Sequence, residues 1–148
     1  MNYKVITLLI FLTMILNQSF GKDFYISTKG SKKNNGSKEK PWHSLSYALS
    51  KAGGGNTYIY LPGEYNEQIY LKKEYKGSIT NPTVIKSDKK WSATIAVLDE
   101  FCAIIDYKCN WTIIDGLKLT GSTRGGILIR SDDNIIKNCW IINNTNGI

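Results

Sequence analysis

Residues 105–119, IDYKCNWTIIDGLKL, and residues 127–141, ILIRSDDNIIKNCWI, decide the fold when laid one over the other. Sliding the first stretch forward by 22 puts Ile105 and Tyr107 on Ile127 and Ile129, and Ile113 and Ile114 on Ile135 and Ile136. The same shift puts Leu117 and Leu119 on Cys139 and Ile141. Positions 117 and 119 stand two apart, which is the spacing of side chains on one face of a strand. Gly126-Ile127 recurs as Gly147-Ile148 at an offset of 147 − 126 = 21, a one-residue slip that turns of unequal length produce. A period near 22 made of short β runs, with no helix inside it, predicts a solenoid of parallel β coils. One coil alone cannot bury its inward face. Stacking the next about 4.8 Å away completes the backbone hydrogen bonds and aligns the apolar residues in columns. Leucine-rich repeats share the period, but their regular Leu-x-x-Leu-x-Leu spacing is missing. A sandwich would require no equal spacing and would show more hairpin turns.

Upstream of the repeat the pattern continues in short β runs: 58–61, closed by Pro62-Gly63, then 67–71, 83–86, 94–98 and 103–107. Before them lies one helical pattern. Leu45, Ala48, Leu49 and Ala52 fall at i, i+3, i+4 and i+7, with Ser44 as N-cap and Gly53-Gly54-Gly55 as the stop. A solenoid's first coil exposes an unpaired edge and an open apolar core, so the amphipathic helix at 44–52 is expected to lie across that opening. At the other end the sequence stops in mid-coil at Asn146-Gly147-Ile148, and the chain is expected to be incomplete there.

The first residues belong to none of this. Lys4 provides a positive start, Val5 to Leu16 is a nearly unbroken apolar run, and Ser19 and Gly21 stand where a signal peptidase reads small residues. That run is short of the roughly 20 apolar residues that span a bilayer. Residues 1–21 are therefore expected to be a signal peptide, and 22–148 the cap and first coils of a secreted domain, extracellular or periplasmic, with no membrane attachment after cleavage. Lys and Arg number 19 and Asp and Glu 12, so the chain carries +7, and +7 − 1 = +6 once Lys4 is removed. A basic exported domain suits an acidic polymer or simply a solvated lysine-rich surface, and no nucleic-acid-binding motif is present. Three cysteines, Cys102, Cys109 and Cys139, cannot all pair within one chain and lack zinc-site spacing, which makes them core residues. No Gly-x-Ser-x-Gly stretch supports a serine hydrolase.

The order of segments resembles the pectate-lyase-like right-handed parallel β-helix proteins, and within them the N-terminal part of the family-nine polysaccharide lyases. The resemblance is carried by Phe24-Tyr25-Ile26-Ser27 leading into a Gly-Ser-Asn loop, and by Pro41-Trp42-His43-Ser44-Leu45 opening the helix. It continues in Leu61-Pro62-Gly63-Glu64-Tyr65 and in Asn81-Pro82 followed by Thr83-Val84-Ile85-Lys86. Trp111 to Leu117 and Asn134 to Cys139 match the coils themselves. It implies an all-β, right-handed β-helix, with proton abstraction beside a uronate carboxylate by Lys or Arg and calcium held by aspartates. In the family those residues sit on middle coils that lie beyond residue 148, so no catalytic residue is carried over. No cofactor is expected in this chain, and Ca²⁺ is expected only of a full-length protein. The expected parent is a polysaccharide lyase acting on pectate or a related polyuronate, with this chain inactive alone. A non-catalytic glycan-binding or adhesin-type protein, a uronan epimerase and a glycoside hydrolase remain as alternatives on the same fold.

Within the chain, the substrate-binding candidates are Lys108, Arg130 and Arg124. Lys108 and Arg130 are 22 apart, and in that register would stack as a positive column for an acidic polysaccharide, against the alternative of two solvated cations. Arg124, in the loop 121–126, would extend the same surface. Asp132-Asp133 reads as a turn rather than a calcium pair, because calcium takes 6–8 oxygen ligands and no further acids cluster nearby in sequence. Asp115 and Lys137, also 22 apart, are expected to form a cross-coil pair. Trp111 and Trp140 are sugar-stacking platforms if they face outward, or packing residues if they do not. His43 is expected to pack at the start of the helix, and Cys139 to take the inward place of Leu117 one coil earlier.

Overall fold

The computed structural model describes residues 21–148; the expected signal peptide, Gly21 apart, lies outside the described residues. A first strand β1 (Asp23–Ile26) is followed by helix α1 (Leu45–Ala52). Three coils of three strands come next: β2 (Thr57–Tyr60), β3 (Gly63–Tyr65), β4 (Ile69–Leu71); β5 (Thr83–Ser87), β6 (Ala93–Ala96), β7 (Ala103–Ile105); and β8 (Thr112–Asp115), β9 (Lys118–Thr120), β10 (Ile127–Ile129). β11 (Ile135–Lys137) and β12 (Trp140–Ile142) begin a fourth. Equivalent strands stack into three sheets: I, ordered β1-β2-β5-β8-β11; II, β3-β6-β9-β12; and III, β4-β7-β10. All these pairings are parallel. This is a parallel β-helix, as the repeat predicts.

The 22-residue register holds where the last coil meets the one before it. Ile113 pairs with Ile135, Ile114 with Ile136 and Leu119 with Ile141. Hydrogen bonds from Gly126 N to Asn146 O and from Ile127 N to Gly147 O bear out the one-residue slip to 21. Sheet III departs from the expectation: Ile129 pairs with Ile105, an offset of 129 − 105 = 24, and Ile127 with Ala103. The cause is the turn after β7. Ile105 to Ile113 spans 8 positions, whereas Ile129 to Ile135 spans 6. Tyr107 and Lys108 are looped out in that turn; Tyr107 is 67% exposed, and Lys108 stands in the left-handed region at φ 60°.

Alternation puts Tyr58, Ile85 and Ile114 inward along sheet I, Tyr65, Ile95 and Leu119 along sheet II, and Leu71 and Ile105 along sheet III, all buried. Leu45, Ala48 and Leu49 of α1 close the core at the N-terminal end, with Ala52 partly buried beside them, so the helix is the cap its periodicity predicts. The Ser44 side chain accepts from Tyr47 N at 3.3 Å, and the Gly53 N–H, at φ 72°, donates to Leu49 O. Glu67 reinforces that helix start from across the coil. Its carboxylate accepts from Leu45 N at 3.0 and 3.1 Å and from the buried Tyr60 hydroxyl at 3.0 Å. Burial pushes the Glu67 carboxyl above its usual value, against the opposing pull of these donors and of nearby His43. Gly77 marks a close approach between coils, since a Cβ there would run into Thr83 N and Trp111 O.

The last coil is tied down by asparagines. Asn134 Oδ1 accepts from Thr112 N, Asn144 Oδ1 from Ser122 N, both at 2.9 Å, and Asn146 Nδ2 donates to Arg124 O at 2.9 Å. Each of these reaches 22 residues back. Asn138 and Asn143 occupy left-handed turn positions at φ 55° and 54°, the conformation Asn tolerates best after Gly.

Candidate functional site

The outward face of sheet III carries a network of polar and aromatic side chains drawn from successive coils. Tyr70 projects outward from the middle of β4, and the turn after β7 begins with Asp106. The Tyr70 hydroxyl donates to Asp106 Oδ2 at 2.7 Å, and Tyr107 N donates to Asp106 Oδ1 at 2.9 Å. Arg130, the first residue after β10, sets Nη1 3.5 Å from Asp106 Oδ1 and its guanidinium 5.5 Å from the Tyr107 ring centroid. Lys72 Nζ lies 5.7 Å from the Tyr70 ring. One carboxylate thus organises two tyrosines and an arginine drawn from three successive coils.

The electrostatics follow from the donors. The Tyr70 hydroxyl, then the Tyr107 N–H, and Arg130 hold the Asp106 carboxyl below the usual carboxylate range. Donating to that carboxylate raises Tyr70 above the usual phenol value, so its hydroxyl stays neutral. The site therefore presents to solvent two aromatic faces, the Arg130–Asp106 ion pair and the Lys72 ammonium. That suits binding an anionic, hydroxyl-rich ligand better than transferring a proton.

The sequence-predicted residues are distributed differently from the expected column. The offset of 24 in sheet III sets Arg130 beside Asp106, so Lys108 and Arg130 do not stack as a cationic pair; Lys108 stands exposed on the looped-out turn. Arg124 lies before β10 and Arg130 after it, so they mark opposite ends of one strand. Arg124 pairs with Glu100 at 3.2 Å and covers the Phe101 ring at 5.8 Å. Asp115 and Lys137 pair across coils as expected, at 3.6 Å. Asp133 takes a left-handed turn conformation at φ 56° and accepts from Asn110 Nδ2 at 3.5 Å. Cys102 and Cys109 are buried, and Cys139 packs against the core, as expected. Trp140 faces outward, 47% exposed, whereas Trp111 is half-buried in a shallow apolar cleft with Ile79, Pro82 and Ile135. His43 is half-buried beside Tyr47, with ring centroids 6.0 Å apart.

Sequence reasoning missed Tyr70, Lys72 and Asp106. Tyr70 and Asp106 are 36 positions apart and meet only because β4 and β7 pair at an offset of 103 − 69 = 34. Coil lengths vary too much for a single period to show this. The only available signal was Tyr70 itself, an aromatic residue between the inward Ile69 and Leu71.

No protein-family model matches the chain. Among solved structures it is similar to pectate lyase Pel9A, with a TM-score of 0.68 over 86% of this chain and 35% of that one, at 18% identity. The chain has the pectate-lyase-like parallel β-helix fold. Among curated proteins it is 32% identical over 76 residues to the uncharacterized protein YwoF of Bacillus subtilis (strain 168). That match covers 51% of this chain and 16% of YwoF. The chain thus spans a minor part of both proteins, and the pectate-lyase-like scaffold it shares with Pel9A speaks to fold rather than to chemistry. No helix among the described residues is long and apolar enough to cross a membrane.

Proposed function

We propose that this chain is the N-terminal part of a secreted, carbohydrate-active β-helix protein that acts on an acidic polysaccharide, in its simplest form a polyuronate lyase working by β-elimination. The observation that carries this reading is the outward face of sheet III. There Lys72 lies over the Tyr70 ring, Arg130 lies over the Tyr107 ring and pairs with Asp106, and Lys108 stands exposed on the adjoining turn, with Glu74 the other carboxylate close enough to act on Tyr70. A polyuronate offers the complement, with one carboxylate per sugar and aliphatic ring faces that pack on aromatic side chains. Arg124, at the far end of β10, lies within reach of a chain laid along the strand, since six residues of extended backbone cover roughly 20 Å.

Calcium would offset the uronate charge in such a reaction. The described residues do not fit it: no group of three or more His, Cys, Asp or Glu among them could hold a metal ion. The role assigned to these coils is to grip the polymer. Export is supported by the apolar run at 5–16 followed by Ser19 and Gly21.

The test is calorimetric titration of the full-length protein with short oligogalacturonates. Replacing Lys72, Lys108 and Arg130 together by Ala is expected to weaken one binding event by about tenfold or more and to flatten its salt dependence. Unchanged affinity in that variant would remove sheet III as the binding face.

A further inference from the structure

A second outward surface, on sheet II, is not used by that reading. The connection from β5 to β6 runs through Asp88 to Ser92, where β8 to β9 needs only Gly116 and Leu117. Its longer course carries Lys89, Lys90 and Trp91 up the side of the helix. Trp91 N donates to Gly116 O at 2.6 Å, and its indole Nε1 reaches Asn138 O, two coils above, at 2.7 Å. Trp91 holds φ 65°, a conformation that a bulky residue adopts only when its surroundings impose it.

The result is a pair of solvent-facing indoles. Trp91 and Trp140 lie 5.6 Å apart at 53°, so neither ring closes over the other, and they are 45% and 47% exposed. Lys90 Nζ stands 4.3 Å from the Trp91 ring and Lys118 Nζ 5.3 Å from Trp140. Neither lysine is among the ion pairs of the described residues; Asp88 pairs with Lys38 and Asp115 with Lys137, while the exposed Glu64 stands in the same sheet II column two strands from Lys118. Two exposed tryptophans would bury readily against a core. Here the chain spends a strained backbone position to hold one of them at the surface, with a lysine over each ring.

We propose that Trp91, Trp140, Lys90 and Lys118 form a second glycan-binding surface, separate from sheet III, for a chain of anionic sugars. The indoles receive the aliphatic faces of successive rings, and the two lysines pair with the sugar carboxylates. The site would hold polymer on the flank of the helix, increasing the effective concentration of chain near the sheet III face.

The experiment follows tryptophan fluorescence of the full-length protein during titration with a short oligogalacturonate, its methyl ester and a single-stranded oligodeoxynucleotide. The expected result is a fluorescence change with the acid form and a much weaker one with the ester. Trp140→Ala and the Lys90→Ala/Lys118→Ala double variant each weaken the titration by about tenfold. The Lys72→Ala/Lys108→Ala/Arg130→Ala variant keeps it, which separates this site from the sheet III reading. Both sets of side chains are exposed, and an unchanged thermal transition in the variants confirms folding. Parent-like affinity in the folded Trp140→Ala and lysine variants would overturn the proposal, as would equal or tighter binding of the oligonucleotide through the same residues.

Discussion

Glu67 shows how much a single side chain does in this fold. Its carboxylate serves two backbone-like tasks at once, completing the start of α1 through Leu45 N and satisfying the buried Tyr60 hydroxyl. Glu67→Ala leaves both donors without a partner and is expected to cost about 2 kcal/mol, read by denaturant unfolding. Glu67→Gln keeps an acceptor and should cost less. The pH dependence has a definite sign. Because burial raises the folded carboxyl above the usual 4.5, the native state binds the extra proton. Its contribution is full below that value and is lost as pH rises through the folded pKa. Unfolding curves taken from pH 4.5 upward should show this decline in the parent and a flatter profile in Glu67→Gln. Burial likewise raises the thiols of Cys102, Cys109 and Cys139. Native protein at neutral pH should therefore react slowly with iodoacetamide, and all three should alkylate rapidly once unfolded.

At the level of elements, the cap and the columns were legible and the turns were not. Helix α1 announced itself by Leu45, Ala48, Leu49 and Ala52, because an amphipathic stripe and its caps are local signals. The pairing of β8 with β11 was equally readable, since two residues separate β8 from β9 and β11 from β12 alike. Sheet III was misread by two positions because the turn after β7 is longer, and nothing local distinguishes a looped-out Tyr107 from a strand residue. That slip moved Arg130 from Lys108 to Asp106, and with it the composition of the candidate site. Coil stacking also sets where side chains are forbidden. Gly77→Ala would drive a methyl group into Thr83 N of β5 and Trp111 O just before β8. It is expected to lower the unfolding midpoint, whereas Gly53→Ala meets no neighbouring atom and is limited to its left-handed backbone cost of about 1–2 kcal/mol.

For the molecule as a whole, some of the 19 Lys and Arg, set against 12 acids, stand over exposed aromatic rings on two different sheets, Lys72 and Arg130 on sheet III and Lys90 and Lys118 on the sheet II side. On the proposed function, association with pectate should weaken steeply as salt is raised, since exposed charges are screened within about 10 Å at 0.1 M. The most direct test of the proposed activity is to express the complete reading frame and follow ultraviolet absorbance of unsaturated uronate on pectate, with calcium and with chelator. Calcium-dependent absorbance is the predicted result. Absence of any absorbance from folded, secreted protein that still binds the polymer would contradict the lyase and leave a glycan-binding β-helix.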